Sequence, residues 1–518
     1  MGQALLDGLL MLLEPTSLVY LTIGMAIGLV FGFLPGLAGL ATLALLMPVI
    51  IGMEPVQGLA FILGAYGAQS FGGSITSILF NVPGSGEQVV TTFDGYPMAR
   101  KGQAGRALGV SAASSAFGGM FGVVILLLAI PVALQLITYL RPPEIFALGI
   151  VGIMVMGVSS ARTKIKGVIS GAFGLMLSFI GLDPITGIAR MTFGHLELNS
   201  GLGITAMTMG LFAVTEMLVL YTRGQAIAAQ APVKTRGAKG SRVLDGVWDT
   251  VRNWKMVIQG GVIGAICGLV PGMGGTVAMF GAYGYAKARS KDPDSFGKGN
   301  PVGVLAPESA NNAKEGGSFV PTLAFGIPGS SGMALVIVIL LILGYVPGPQ
   351  MIDNHMDIVF LIAWICALSN VLASFLGLAM APLFAKLAFL RPQLLAPPLV
   401  AISLIGAFVD TRFMLSVLIA VIAGFAGYVL RALGYSLAGV ILGFVLGPIV
   451  DQNLGLALQL YGSGFVLRPI TAAILGLTLV AVLWGPVRKA LRRPKDGPGG
   501  PGDGAIVGAG EQAGGSIR

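Results

Sequence analysis

Histidine and cysteine each occur only twice among 518 residues, and Asp, Glu, Lys and Arg together make up only 10%. Cys267 and Cys366 each sit in an apolar run, which leaves no disulfide framework or thiol-metal spacing and reads as packing. An intramembrane serine protease is suggested by Gly329-Ser330-Ser331-Gly332, but that chemistry needs a histidine base within reach of the serine. His195 and His355 both fall between apolar stretches. An aspartyl enzyme needs paired aspartates at lipid depth, whereas Asp94, Asp183, Asp353, Asp410 and Asp451 sit at span ends. No G-x-x-x-x-G-K-[ST] stretch occurs, against an ATP-driven pump. The first fourteen residues hold Asp7 and Glu14 but no Lys or Arg, so no cleavable signal peptide is expected. No enzyme class and no cofactor is expected.

Apolar residues are plentiful instead, at 55% of the chain with a mean hydropathy of +0.87. Such a composition belongs to a polytopic membrane protein. Glycine, at 79 residues, suits it, because small residues let helix backbones approach where hydrophobicity cannot drive packing. Spanning stretches are read at about 18–34, 37–52, 56–71, 107–130, 145–158, 168–182 and 202–220. After a hydrophilic linker they resume at 256–270, 274–286, 333–346, 358–380, 394–408, 413–430, 437–450 and 465–484. The expected fold is all-α, with about twelve crossings plus re-entrant pieces. Its parts are an N-terminal repeat (1–221), a cytoplasmic linker (222–255), a C-terminal repeat (256–486) and a glycine-rich, disordered cytoplasmic tail (487–518). The net charge of +9 gathers at loops and near the end, which suits an anionic membrane face rather than nucleic acid.

The two halves repeat. Gly24, Gly28, Gly32 and Gly36 surround Leu34-Pro35, and Gly260, Gly264, Gly268 and Gly272 surround Val270-Pro271 in the same register. Downstream, Gly73-Ser74 leads to Val82-Pro83-Gly84-Ser85, and Gly317-Ser318 leads to Ile327-Pro328-Gly329-Ser330, with one residue added between them. Leu140-Arg141-Pro142 matches Leu390-Arg391-Pro392, and Gly171, Gly174, Gly181 and Gly194 match Gly424, Gly427, Gly434 and Gly447. Basic loops alternate sides between the copies: Arg100, Lys101 and Arg106 match an acidic stretch, and the bare loop at Glu54 matches Lys287, Arg289, Lys291 and Lys298. That pattern is expected of inverted repeats, with the N-terminus outside and the C-terminus cytoplasmic.

Backbone interrupted at lipid depth is tolerated where it lines a cavity or is buried in protein, so the breaks are where chemistry is expected. Gly-Ser turns at helix ends aim amides and hydroxyls at an anion, helped by the helix dipole. The substrate-binding candidates are Ser74, Thr76, Asn81, Pro83, Gly84, Ser85 and Gly86 in the first copy. Gly326, Pro328, Gly329, Ser330 and Ser331 are their counterparts in the second. A polar stretch, 306–317, adds Ser309, Asn311 and Asn312, with Glu308 and Lys314 expected near the aqueous boundary. A plainer reading makes the hairpins packing kinks and the polar stretch a solvated interfacial helix. Gly32, Pro35, Gly36, Gly268, Pro271 and Gly272 are read as hinge or packing elements. No metal spacing is present; a sodium site near the hairpins is a candidate.

The strings GFLPGLAG, NVPGSGEQVVTTFDGYPMARKGQAGRALG, GLVPGMGG, APESANNAKEGGSFVPTLAFGIPGSSGMAL and GYVPGPQ resemble the TctA family, the large membrane subunit of tripartite tricarboxylate transporters. The resemblance runs from about residue 17 to 486. It implies a bacterial inner-membrane transporter working with a small membrane subunit and a periplasmic solute-binding protein. Citrate-like di- or tricarboxylates would be taken up with a sodium or proton gradient as the driving force. It also implies binding roles for the two Pro-Gly-Ser hairpins and the 309–312 segment. Helices outside the motifs form a candidate homodimer scaffold, and an elevator-like slide is favoured by analogy with other paired-hairpin transporters. An uncoupled channel is the alternative reading.

Overall fold

The computed structural model describes residues 1–34, 38–183, 186–223, 240–387, 396–476 and 478–480. The first half comprises α1 (Gly2–Leu13), α2 (Pro15–Phe33), α3 (Leu40–Ile50), α4 (Pro55–Phe80), α5 (Val89–Met98), α6 (Ala104–Ile137), α7 (Pro142–Ser160) and α8 (Lys164–Ser178). An antiparallel ribbon, β1 (Gly181–Leu182) and β2 (Ala189–Arg190), precedes α9 (Ile204–Thr208) and α10 (Thr215–Arg223). The second half holds α11 (Gly240–Arg252), α12 (Trp254–Leu269), α13 (Gly274–Arg289), α14 (Val302–Phe325) and α15 (Ser331–Ile342). It ends with α16 (Pro349–Asn354), α17 (Met356–Leu387), α18 (Ala396–Thr411), α19 (Met414–Ala432) and α20 (Leu437–Tyr461).

Six segments among the described residues are long and apolar enough to cross a membrane: Pro15–Phe33, Val89–Ile137, Pro142–Ser159, Met356–Ala381, Met414–Ala432 and Leu437–Leu467. Shorter apolar helices account for most of the other stretches expected from hydropathy. The chain is therefore an all-α membrane protein apart from its two-residue strands. Prolines at the first turn start α2, α4 and α7, where a missing N–H costs nothing. Glu144 accepts from the Arg141 N–H at 3.1 Å and closes the N-terminus of α7.

α4 and α14 form the centre, and glycines decide how close their neighbours come. A Cβ on Gly24, Gly28 or Gly32 of α2 would overlap the backbone at Phe61, Ala65 or Gln69 of α4. A Cβ on Gly260, Gly264 or Gly268 of α12 would do the same at Ala306, Ala310 or Lys314 of α14. Matched glycines thus meet matched partners. The same contacts place Gly72 against Leu29 and Gly317 against Ala265. In this register Gly73 pairs with Ser318, so the extra residue expected between the two downstream motifs disappears. α6 packs against α14, with Gly118 on Ser309 and Gly122 on Ala313, and α17 packs against α4, with Gly67 on Ser369 and Gly377 on Phe71. Each central helix is gripped by the long helix of the other half.

Two sequence expectations meet a different local structure. The linker read as hydrophilic contains α11, which lies along α6: Gly246 meets Arg106, Gly109 meets Val243, and Arg106 Nε bonds Asp249 at 2.6 Å. Gly194 lies in an irregular stretch after the ribbon, whereas its match Gly447 lies inside α20. The first-half stretch carries Asp183 and Arg190 and cannot form an apolar helix; Arg190 ties it to Asp451 of α20 at 2.5 Å. Leu390, Arg391 and Pro392, Pro35 and Gly36, residues 224–239 of the linker, and the tail lie outside the described residues.

Candidate functional site

α4 ends at Asn81 (φ 57°, ψ 28°) and α14 at Gly326 (φ 68°, ψ 16°), both in the left-handed conformation that terminates a helix. Pro83-Gly84-Ser85 and Pro328-Gly329-Ser330 follow as extended turns. A Cβ on Gly84 would collide with Gly73, and one on Gly329 with Ser318, so each turn folds back on the helix it leaves. The Gly329 N–H donates to Thr322 Oγ1 at 3.2 Å, and Gly272 N–H donates to Gly329 O at 3.4 Å, joining the two breaks of the second half. New helices start directly afterwards: α5 at Val89 and α15 at Ser331, the latter capped by Ser330 Oγ accepting from Met333 N–H at 3.4 Å.

These turns border a cavity of about 670 Å³ lined from both halves. Four helix N-termini open onto it: α3 through Gly39 and Leu40, α5 through Glu87 and Gln88, α13 through Gly274 and Thr276, and α15 through Ser331 and Gly332. Converging N-termini offer unpaired amides and positive dipole ends, an arrangement that favours an anion. Polar side chains on the wall are Tyr66, Gln69 and Ser70 from α4, Asn312, Lys314 and Glu315 from α14, and Asn370 from α17, set among apolar ones such as Leu63, Phe212 and Phe319.

The charged centre is Lys314, whose side chain is 1% exposed. Its Nζ lies 2.6 Å from Glu315 Oε1 and 3.5 Å from Glu87 Oε1, and Tyr66 Oη donates to Glu315 at 3.1 Å. Arg431 pairs with Glu216 on the same cavity. Glu87, Glu216 and Glu315 against Lys314 and Arg431 leave one carboxylate in excess among the described lining residues. Beside this centre, Asn312 Nδ2 donates to Asn370 Oδ1 at 2.7 Å, and Asn311 Nδ2 donates to Ser70 Oγ at 2.7 Å. Asn311 Oδ1 and Gln88 Oε1 are buried with no hydrogen-bond partner.

Of the candidates read from sequence, Pro83, Gly84, Ser85, Gly86, Asn312, Ser330 and Ser331 line the cavity. Asn81, Gly326, Pro328 and Gly329 shape its turns. Thr76 donates to Gly73 O at 2.8 Å and Ser309 to Ala306 O at 2.9 Å, both inside helix packing. Ser74 points away from the cavity and donates to Glu308 at 2.8 Å. Gly32 and Gly268 are close-packing positions behind Gln69 and Lys314, and Pro271-Gly272 forms the turn between α12 and α13, with Gly272 at φ 84°. Glu308 and Lys314 are not at an aqueous boundary: α14 is enclosed by α6, α12 and α13, and the two side chains are 0% and 1% exposed. The stretch 306–317 is consequently not a solvated interfacial helix.

Tyr66, Gln69, Ser70, Glu87, Gln88, Glu315 and Asn370 were not among the sequence candidates. The glycine register carries the missing signal, because it sets Gln69-Ser70 opposite Lys314-Glu315. Among the described residues no group of three or more His, Cys, Asp and Glu has metal-ligand geometry.

A helical membrane protein with a polar cavity between two broken-helix turns is the class these features define. The profile of the tripartite tricarboxylate transporter TctA family matches residues 18–442. The chain belongs to that family. An uncharacterized 52.8 kDa protein in the TAR-I ttuC' 3' region of Agrobacterium vitis is 34% identical over 450 residues, covering 86% of this chain and 88% of that relative. An uncharacterized protein in the TAR-II ttuC' 3' region of the same organism is 35% identical over 195 residues, 38% of this chain and 81% of that relative. No solved structure matches the chain.

Proposed function

We propose that this chain is the large membrane subunit of a secondary transporter that imports citrate-like di- or tricarboxylates across a bacterial inner membrane. A periplasmic solute-binding protein delivers the substrate, and a small membrane subunit completes the complex. The observation that carries this reading is the cavity bordered by both Pro-Gly-Ser turns, onto which four helix N-termini open. Amides of the turns, with Ser85, Ser330 and Ser331, suit substrate carboxylates, and Asn312 and Lys314 suit a further one.

Coupling follows from charge. The described lining already has one surplus carboxylate, so a polyanion enters at lower electrostatic cost when a cation or proton enters with it. Sodium and proton are the two candidate ions. The matched packing of α2 on α4 and α12 on α14 supports two repeats; the alternation of basic loops between the copies orients them as inverted, with about twelve crossings, the N-terminus outside and the C-terminus cytoplasmic. The hairpin-bearing helices then move together, by an elevator-like slide, against a scaffold of peripheral helices that dimerises. The domain limits are those of the repeat, with residues 222–255 and 487–518 cytoplasmic.

The test is uptake of labelled citrate into proteoliposomes holding this chain, its small membrane subunit and its binding protein, with sodium and pH gradients imposed separately. Accumulation above the external concentration under one gradient is expected. Equilibration without accumulation under both would favour the channel.

A further inference from the structure

Among the described residues one buried carboxylate stands apart from the cavity and from the cations. Glu308 sits inside α14 with 0% exposure. Its Oε1 accepts from Ser74 Oγ of α4 at 2.8 Å and from Thr91 Oγ1 of α5 at 2.6 Å. Its Oε2 accepts from Ser115 Oγ of α6 at 3.0 Å. Ser111 Oγ of α6, buried without another partner, lies close by as a fourth hydroxyl; neutral hydroxyls alone are weak compensation for a carboxylate taken fully out of water.

Among the described residues no charged side chain pairs with it. α4 offers Ser74 and α6 offers Ser115; α5 offers Thr91, while Asp94 one turn on is occupied by the N–H groups of Gly297, Gly299 and Asn300 and by Tyr283 Oη of α13. On α12 and α13, the other helices packed on α14, Lys255 stands at the start of α12 over the Trp254 ring, and Lys287 and Arg289 stand in the last turn of α13. Lys314, Glu315 and Glu87 are engaged with one another at the cavity.

The site nonetheless touches the cavity through two single steps. Ser74 Oγ has a second acceptor, Ser70 O, at 3.2 Å, and Ser70 lines the cavity. Ser115 O accepts from Asn312 Nδ2 at 3.1 Å, and Asn312 lines it as well. A proton from cavity water has a place to go and a neighbour able to reorient. A hydronium reaching Ser74 Oγ gives it a proton as Ser74 passes its own to Glu308 Oε1, leaving water behind; the Ser74 hydroxyl then turns its new hydrogen to Ser70 O, and release runs the same exchange backwards. No other bond is made or broken.

We propose that Glu308 is the proton-coupling site of the transport cycle, loaded and emptied from the cavity through Ser74 and Ser70; this deepens, and rests on, the transporter reading above. When ionised, Glu308 holds α14 of the second half to three helices of the first by charge-assisted hydrogen bonds. Protonation removes that assistance and loosens α14 from α4, α5 and α6. The hydroxyl–carboxylate separations are those of hydrogen bonds, with the donors already aimed at the carboxylate, which suits a proton better than a sodium ion needing several oxygens turned outward from their protons.

The experiment uses the full complex in proteoliposomes, with labelled citrate as probe, comparing wild type, Glu308→Gln and Glu308→Asp. For Glu308→Gln, accumulation driven by a pH gradient is expected to fall about tenfold or more while citrate-for-citrate exchange continues. Glu308→Asp is expected to restore part of the accumulation. In parallel, infrared difference spectra of the purified complex across pH follow the protonated-carboxyl band. That band is expected to vanish in Glu308→Gln, and in Ser115→Ala its titration is expected to move upward by about one pH unit through loss of one donor to the ionised form. Unchanged accumulation in Glu308→Gln, joint loss of accumulation and exchange without rescue by Asp, or a sodium-only drive with no such band would overturn the proposal. Wild type that moves no citrate in either mode would overturn the transporter reading instead, and the infrared band then decides the proton site alone.

Discussion

Lys314→Met is the perturbation whose consequence the cavity fixes most narrowly. Methionine keeps an unbranched stem of similar length and removes the cation that lies 2.6 Å from Glu315 and 3.5 Å from Glu87. The lysine side chain is 1% exposed, whereas Glu315 and Glu87 are 25% and 34% exposed, so the stranded carboxylates retain some hydration. Breaking a buried pair costs about 3–5 kcal/mol, and the access of both acids to the cavity places this case near 3 kcal/mol. Neutralising the nearer acid as well, in Lys314→Met/Glu315→Gln, is expected to recover about 2 kcal/mol, because contacting charges are coupled. Reversible unfolding of the four proteins in mixed micelles, read as a double-mutant cycle, measures this directly. Single effects that add to within about 0.5 kcal/mol would refute the pair as the organising charge of the cavity.

Ser85→Leu and Ser330→Leu put a bulky apolar side chain into the cavity from opposite halves; citrate uptake is expected to be lost with membrane insertion intact, and near-normal uptake in either would remove that turn from the site. Gly264→Leu forces α12 away from Ala310 of α14 and is expected to cost about 3 kcal/mol or more, whereas Gly284→Leu, with open space at its Cβ, should stay within about 0.5 kcal/mol of wild type; equal unfolding midpoints would contradict the close approach. Asp94→Asn presents an amide to donors at Gly297, Gly299, Asn300 and Tyr283 and is expected to destabilise by about 2–3 kcal/mol, so an unchanged thermal midpoint would show that the carboxylate does not hold this loop.

Much of the cavity's frame was legible because proline and glycine act locally. Pro83-Gly84 and Pro328-Gly329 break helices wherever they stand, and the four-residue glycine spacing of α2 and α12 can only be a helix face made for close contact. Its charged lining was not legible, because Lys314 and Glu315 in a polar stretch look the same whether solvent or four helices surround them. Only the three-dimensional enclosure of α14 separates those cases. Tyr66 and Gln69 were hidden for a similar reason: each is one polar residue in an apolar helix, and its meaning depends on what lies across the cavity. α11 escaped notice because averaged hydropathy hides it: Leu244, Trp248 and Val251 recur at helical spacing, but Arg242, Asp245, Asp249 and Arg252 around them cancel the mean.

The central claim is that one cavity, built jointly by the two Pro-Gly-Ser turns, holds the carboxylate. Its most direct test introduces Ser85→Cys and Ser330→Cys singly, after replacing Cys267 and the cavity-lining Cys366 by alanine. The rate of maleimide labelling is then measured in reconstituted complex with and without citrate. The account predicts that citrate slows labelling at both positions. Protection of only one position, or of neither, would contradict it.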